Sequence, residues 1–253
     1  MEALQFGDPQ RRLLGLRDSP LGSARRTALV LCPAWGMEAL RSHRGVALLA
    51  RELAAAGYDC LRFDYSGTGD SDGEAMDARL EHWLADIASA VREQQEISGA
   101  DHIAVVGIRL GALLAAAAKT QHRLPLKALI AWDAPASGAA HNALMHRLDH
   151  ASDQLKNARR NRGMRLPPHA PDELCGHAWP PALAQALNAL PGLASGQPLL
   201  CVHSSDTTAA ANDARTLTVP EAAHWNHVRW NGTPWIPAAG IHQVVAAISE
   251  WLP

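Results

Sequence analysis

The chain has 253 residues, 47% of them hydrophobic and 19% charged, with a formal net charge of −2. Single cores stop growing only near ~250–300 residues, so the length fits one packed domain or one domain with an insertion. The near-neutral balance excludes a dedicated nucleic-acid binder, which would be strongly basic, and the apolar content excludes a disordered chain.

Arg11–Leu16 predicts a weak strand, and Thr27–Cys32 a buried one that stops at Pro33. Arg44–Ala56 has helical spacing, with Gly57 placed to end the helix. Tyr58–Tyr65 reads as the next strand and runs into the glycine-rich turn Ser66–Gly73. Ala78–Ser98 is amphipathic, with Leu80, Trp83, Leu84, Ile87, Ala88 and Val91 on one face. Ile103–Gly107 predicts a strand, a helix follows to about His122, and Leu126–Trp132 predicts another strand. Continuous apolar strands alternating with helices indicate an α/β fold, a mostly parallel sheet covered on both faces. No strand is predicted between Ala136 and Gln197, where Ala139–Arg160 and Ala182–Leu190 read as helices around a Pro-rich stretch. That segment, about 136–197, is expected to be a helical cap inserted into a single 1–253 domain. Pro198–His203 and Arg215–Val219 resume the strands, and Ala238–Leu252 closes as a helix.

The longest apolar-or-glycine stretch, Leu110–Ala118, is too short to span a bilayer. The N-terminal residues, among them Glu2, Asp8, Arg11 and Arg12, contain no apolar signal core. Cys32, Cys60, Cys175 and Cys201 lie far apart, which argues against a disulfide framework or zinc ribbon. A cytoplasmic protein without metal or cofactor is therefore expected. His146 and His150 have metal-compatible spacing but lack a helix-borne glutamate in zincin register.

The most informative residues are Gly107-Ile108-Arg109-Leu110-Gly111. Glycines two residues either side of a central position, after a strand and before a helix, form a nucleophile elbow when the centre is serine. Here the centre is Arg109, whose guanidinium stays protonated and has no attacking lone pair. With Leu29–Gly36 and Gly57–Ser71, this turn resembles the α/β-hydrolase superfamily. Arg41–Arg44, Asp77–Arg79, Trp132–Gly138 and Gly176–Leu183 resemble more narrowly the exosortase A system-associated hydrolase type 2 group, whose elbow reads G-L-R-L-G-A. The resemblance implies an α/β-hydrolase fold with a cap, and a role near exopolysaccharide and protein-sorting loci.

It also implies a site. His224, in Val219-Pro220-Glu221-Ala222-Ala223-His224, stands where the superfamily has its base, with His227 and His242 as weaker alternatives. Asp206 and Asp133 compete to orient it. Three roles for Arg109 remain open: anchoring an anionic ester- or carbonyl-type substrate beside His224, marking a pseudoenzyme that binds a metabolite or partner protein, or standing beside another nucleophile such as water, Cys32 or Ser66. A plainer reading pairs Arg109 with Asp133 or Asp206 in a filled site. Of 8 tryptophans, Trp83 and Trp251 read as core. Trp35, Trp132, Trp179 and Trp225 are expected to wall a substrate pocket above Arg109, with Trp230 and Trp235 nearby and the Leu110 N–H as an oxyanion donor. The basic excess from Arg147 to Arg165 reads as a solvated helix face or as a rim for an acyl carrier or other acidic partner.

Overall fold

The computed structural model describes residues 1–160, 172–194, 199–204, 214–219 and 238–252. An antiparallel hairpin of β1 (Glu2–Asp8) and β2 (Arg11–Asp18) opens the chain. Then β3 (Thr27–Cys32), α1 (Gly36–Ala55), β4 (Cys60–Phe63), α2 (Leu80–Ser98), β5 (His102–Ile108), α3 (Leu110–Gln121) and β6 (Leu126–Trp132) alternate. Beyond β6 come α4 (Gly138–Arg160), the two-residue strands β7 (Glu173–Leu174) and β8 (His177–Ala178), and α5 (Pro181–Asn188). β9 (Leu199–His203), β10 (Arg215–Thr218) and α6 (Ala238–Trp251) follow.

The main sheet among the described residues runs β1-β2-β4-β3-β5-β6-β9-β10. β2 is antiparallel to β4, and the pairs from β4 through β10 are parallel. This is the expected α/β architecture. Period-two alternation splits β3 between the two faces. Ala28, Val30 and Cys32 join α2 and α3 on one side, and Leu29 and Leu31 join α1 and α6 on the other. Burial on both faces explains the unbroken apolar run of Thr27–Cys32. Register then aligns the strand ends, with Cys32 opposite Gly107, Ile108 opposite Trp132 and Trp132 opposite Val202. The loops leaving β3, β5, β6 and β9 therefore emerge side by side.

Three elements differ from the sequence expectation. β1 is an added edge strand in which only Phe6 is buried, so its polar pattern gives no apolar signal. α1 begins at Gly36 rather than near Arg44, because its buried face includes the polar Glu38 and Ser42. The segment between β6 and β9 contains strands after all. β7 and β8 turn through Cys175 (φ 53°) and Gly176 (φ 81°), the paired positive φ of a tight hairpin. Two-residue strands are too short to show periodicity. The Cys175 N–H donates to Asp149 on α4, which ties the hairpin down.

Two glycines set the β5–α3 turn. A Cβ on Gly107 would lie 2.3 Å from the Ala112 Cα, and one on Gly111 would lie 2.4 Å from both the Cys32 and Pro33 carbonyl oxygens. The start of α3 is thus pressed onto the end of β3. Gly111→Ala should lower unfolding free energy by about 2–3 kcal/mol, since backbone must move to admit the methyl. Gly99→Ala, at an open left-handed helix end with no atom within 4 Å of its Cβ, should cost only about 1 kcal/mol. Urea titration checks the difference through the two midpoints.

Candidate functional site

Arg109 stands at the tip of that turn with φ 54° and ψ −123°, a conformation that costs a non-glycine residue of order 1–3 kcal/mol. Its backbone N–H donates to the Trp132 carbonyl at 2.9 Å, and its own carbonyl accepts from the Ala112 N–H at 3.1 Å. The side chain does not lie open. Its Nε donates to Glu38 Oε1 at 3.0 Å, Nη2 is 3.0 Å from the same oxygen, and Nη1 donates to the Asp133 carbonyl. The Arg109 side chain is 11% exposed and that of Glu38 is 0%.

Glu38 lies in the first turn of α1, 71 residues from Arg109 in sequence. It was not among the sequence-derived candidates. A carboxylate near a helix start is routine, and only burial marks this one as unusual. Its second oxygen, Oε2, is buried with no hydrogen-bond partner. His141, near the start of α4, was also missed. It is fully buried, and neither ring nitrogen has a hydrogen-bond partner. Burial pushes its pKa down to about 4, while Glu38 pulls it up and Arg109 pushes it further down.

Asp133 does meet Arg109, but through its backbone carbonyl. Its carboxylate faces β9, taking the Ser204 N–H at 2.8 Å and the Ser204 hydroxyl. Positive φ at Asp133 (47°) makes this split possible. Leu110 is fully buried as the first residue of α3, where first-turn N–H groups lack helical partners. Trp132 is fully buried among Ile130, Val202 and their neighbours, its indole N–H donating to Ser204 Oγ at 3.0 Å. Cys32 is fully buried, and burial pushes its thiol well up. Ser66 donates both its N–H and its hydroxyl to Asp86. His242, on α6, lies 3.7 Å from Glu52. Asp206, His224, Trp225, His227, Trp230 and Trp235 lie outside the described residues.

A second feature sits beside the turn. Trp35 precedes α1 and is tilted against Trp179, with ring centroids 4.5 Å apart, and its edge meets His177 at 5.7 Å. A cavity of about 530 Å³ opens beside it, lined by Trp35, Phe63, Trp83, Leu14, Leu16 and Val46 among others. Arg109, Trp132 and Trp179 are not in its wall. Trp83, read from the sequence as core, is both buried and part of this wall.

Breaking a buried pair by removing one partner costs roughly 3–5 kcal/mol, whereas replacing both with apolar groups is often neutral. Arg109→Met and Glu38→Leu should each fall in that range, and the double variant should lose less than either single one. Urea unfolding of the four proteins measures the cycle. His141 adds a pH signature. Free histidine titrates near ~6.5, so between that pH and about 4 the unfolded chain takes up a proton that the folded chain refuses. The contribution is complete above pH ~6.5 and is lost as pH falls toward 4. His141→Leu should flatten the stability profile across that window relative to the unsubstituted protein.

The model of the serine aminopeptidase S33 family matches residues 25–170. Among solved structures, the chain is similar to Est1E from Butyrivibrio proteoclasticus with ferulic acid bound. The two are 20% identical with a TM-score of 0.63, covering 98% of this chain and 97% of that one. It is also similar to proline iminopeptidase from Mycobacterium smegmatis, at 14% identity and TM-score 0.63 over 99% and 97% of the two chains. XC6422 from Xanthomonas campestris, described as an α/β serine hydrolase without a lid, is 15% identical with a TM-score of 0.59 over 100% and 95%. No curated protein matches the sequence. The sheet order, the β5–α3 turn and the family match agree: the chain belongs to the serine aminopeptidase S33 family and has the α/β-hydrolase fold.

Proposed function

We propose that this chain is a non-hydrolytic member of its family that binds a small ligand, with Arg109 filling the place of the elbow nucleophile. The observation that carries the reading is the Arg109–Glu38 pair. A serine hydrolase needs a hydroxyl at the turn, a base beside it and a clear line to the substrate carbonyl. Here the turn residue is a guanidinium with no lone pair to attack, folded back onto Glu38 and the Asp133 carbonyl. The alternative nucleophiles are engaged elsewhere. Cys32 is buried as a thiol, and Ser66 is bonded to Asp86.

The pair also weakens the role of Arg109 as an anchor for an anionic substrate. Glu38 already answers its charge. An incoming carboxylate or phosphate would have to displace Glu38 and leave a buried carboxylate unpaired, at a cost of several kcal/mol. In this reading His224 and either Asp206 or Asp133 do no proton transfer to a nucleophile at position 109. The segment from α4 to α5 serves as the cap. Its support is the contact of Trp179 with Trp35 and the packing of Met145, Leu183 and Leu187 into the α2–α3 core. The G-I-R-L-G-A elbow also supports kinship with the exosortase-associated group, in which arginine holds the same position.

A fluorophosphonate probe and a panel of 4-nitrophenyl esters test the proposal. The protein should show no labelled serine and no turnover above the buffer rate. A labelled serine, or ester hydrolysis that His224→Ala abolishes, would contradict it.

A further inference from the structure

The cavity beside Trp35 is separate from the Arg109 turn, and its wall has a definite chemistry. Trp35, Phe63 and Trp83 contribute aromatic surface, and Leu14, Leu16 and Val46 contribute aliphatic surface. At about 530 Å³ it falls within the ~300–1,000 Å³ range of small-molecule sites. The elements around it are fixed. Asp72 and Ser71 stitch the 66–73 turn to β2 through backbone bonds at Arg12 and Leu14. Gly69 lets the turn close on Asp64, since a Cβ there would overlap the Asp64 carboxylate. The site is therefore built from held elements.

The arginine in its wall already faces a carboxylate. Arg62 lines the cavity, but its Nε lies 3.7 Å from Asp18, whose side chain is 5% exposed. Asp64, also in the wall, is the group that repels an anion when ionised; burial pushes its carboxyl up, and the Asp70 N–H it takes at 3.1 Å works against that shift. His43 spends Nδ1 on the Leu40 carbonyl. Burial pushes His177 down, away from its charged form, against a smaller pull upward from Glu173. Ser42 and Thr68 donate their hydroxyls to the Ala39 and Tyr65 carbonyls.

Resting on the reading of this chain as a ligand binder, we propose that the cavity between the β3–α1 loop, the 64–78 turn and the β7–β8 hairpin is the ligand site. Its occupant is an uncharged aromatic or acyl-chain molecule. Binding is carried by apolar burial against Trp35, Phe63 and Trp83, and Asp64 selects against carboxylates and phosphates. The anion-binding expectation drawn from Arg109 gives way to this one, because Arg109 faces Glu38 and not this space.

Two fluorescent probes that share one scaffold test it. N-phenyl-1-naphthylamine is neutral, and 1-anilinonaphthalene-8-sulfonate adds a negative charge. The neutral probe should bind at micromolar concentration, brighten and quench tryptophan emission. The sulfonate should bind at least tenfold more weakly. Ala39→Phe and Ala75→Trp place bulk into the cavity from positions that are not fully buried. Each should weaken the neutral probe at least tenfold while leaving the melting temperature within a few degrees. Two positions keep the test decisive if one variant folds poorly, and Trp35→Phe should reduce the quench in either case. No binding of the neutral probe, equal binding of the sulfonate, or indifference to all three substitutions would overturn the proposal. Ester hydrolysis with intact probe binding would instead overturn the non-hydrolytic reading and leave this site standing.

Discussion

A guanidinium carried to the edge of a close-packed sheet calls for a carboxylate, because leaving a buried charge unpaired costs roughly 3–5 kcal/mol, a large share of a domain's stability. The β5–α3 turn delivers Arg109 into such a place, and Glu38 answers it from α1. Much of the surrounding geometry follows from that demand. For Glu38 to arrive, α1 must start immediately after β3, at Gly36. For Arg109 to reach it, the turn must sit hard against the β3–α1 loop, which is what the missing Cβ atoms at Gly107 and Gly111 permit. Asp133 completes the shell with a carbonyl because its positive φ sends its carboxylate toward Ser204.

Two regions of different chemistry lie near the start of α1. The turn at Arg109 is polar, and its guanidinium is paired with Glu38. The cavity beside Trp35 is mostly apolar. Trp35 lines the cavity and packs against Trp179 and against His177, which shares the cavity wall.

Much of the architecture was legible in the sequence because its signals are local. Ala28–Cys32, Ile103–Ile108 and Ala128–Trp132 are buried on both faces and read as unbroken apolar runs. The glycine spacing around Arg109 announces a sharp turn whatever residue sits at its centre. The partner of Arg109 was not legible. Asp133 and Asp206 were the natural candidates because they follow neighbouring strands, yet the carboxylate comes from a helix 71 residues earlier in the chain. Glu38 and Ser42 also broke the apolar period that would have shown where α1 begins. Likewise β1 and the β7–β8 hairpin are edge or two-residue elements, for which alternation carries almost no information.

The central claim is that the Arg109 guanidinium is occupied by Glu38 and is not available to a ligand. Proton–nitrogen correlation spectra of the arginine Nε–H groups, assigned with Arg109→Met, address it directly. A buried Nε–H held on a carboxylate oxygen should exchange slowly with water. It should also keep its chemical shift as acetate or inorganic phosphate is added to tens of millimolar. A rapidly exchanging Arg109 Nε–H, or one that shifts saturably with either anion, would contradict the account.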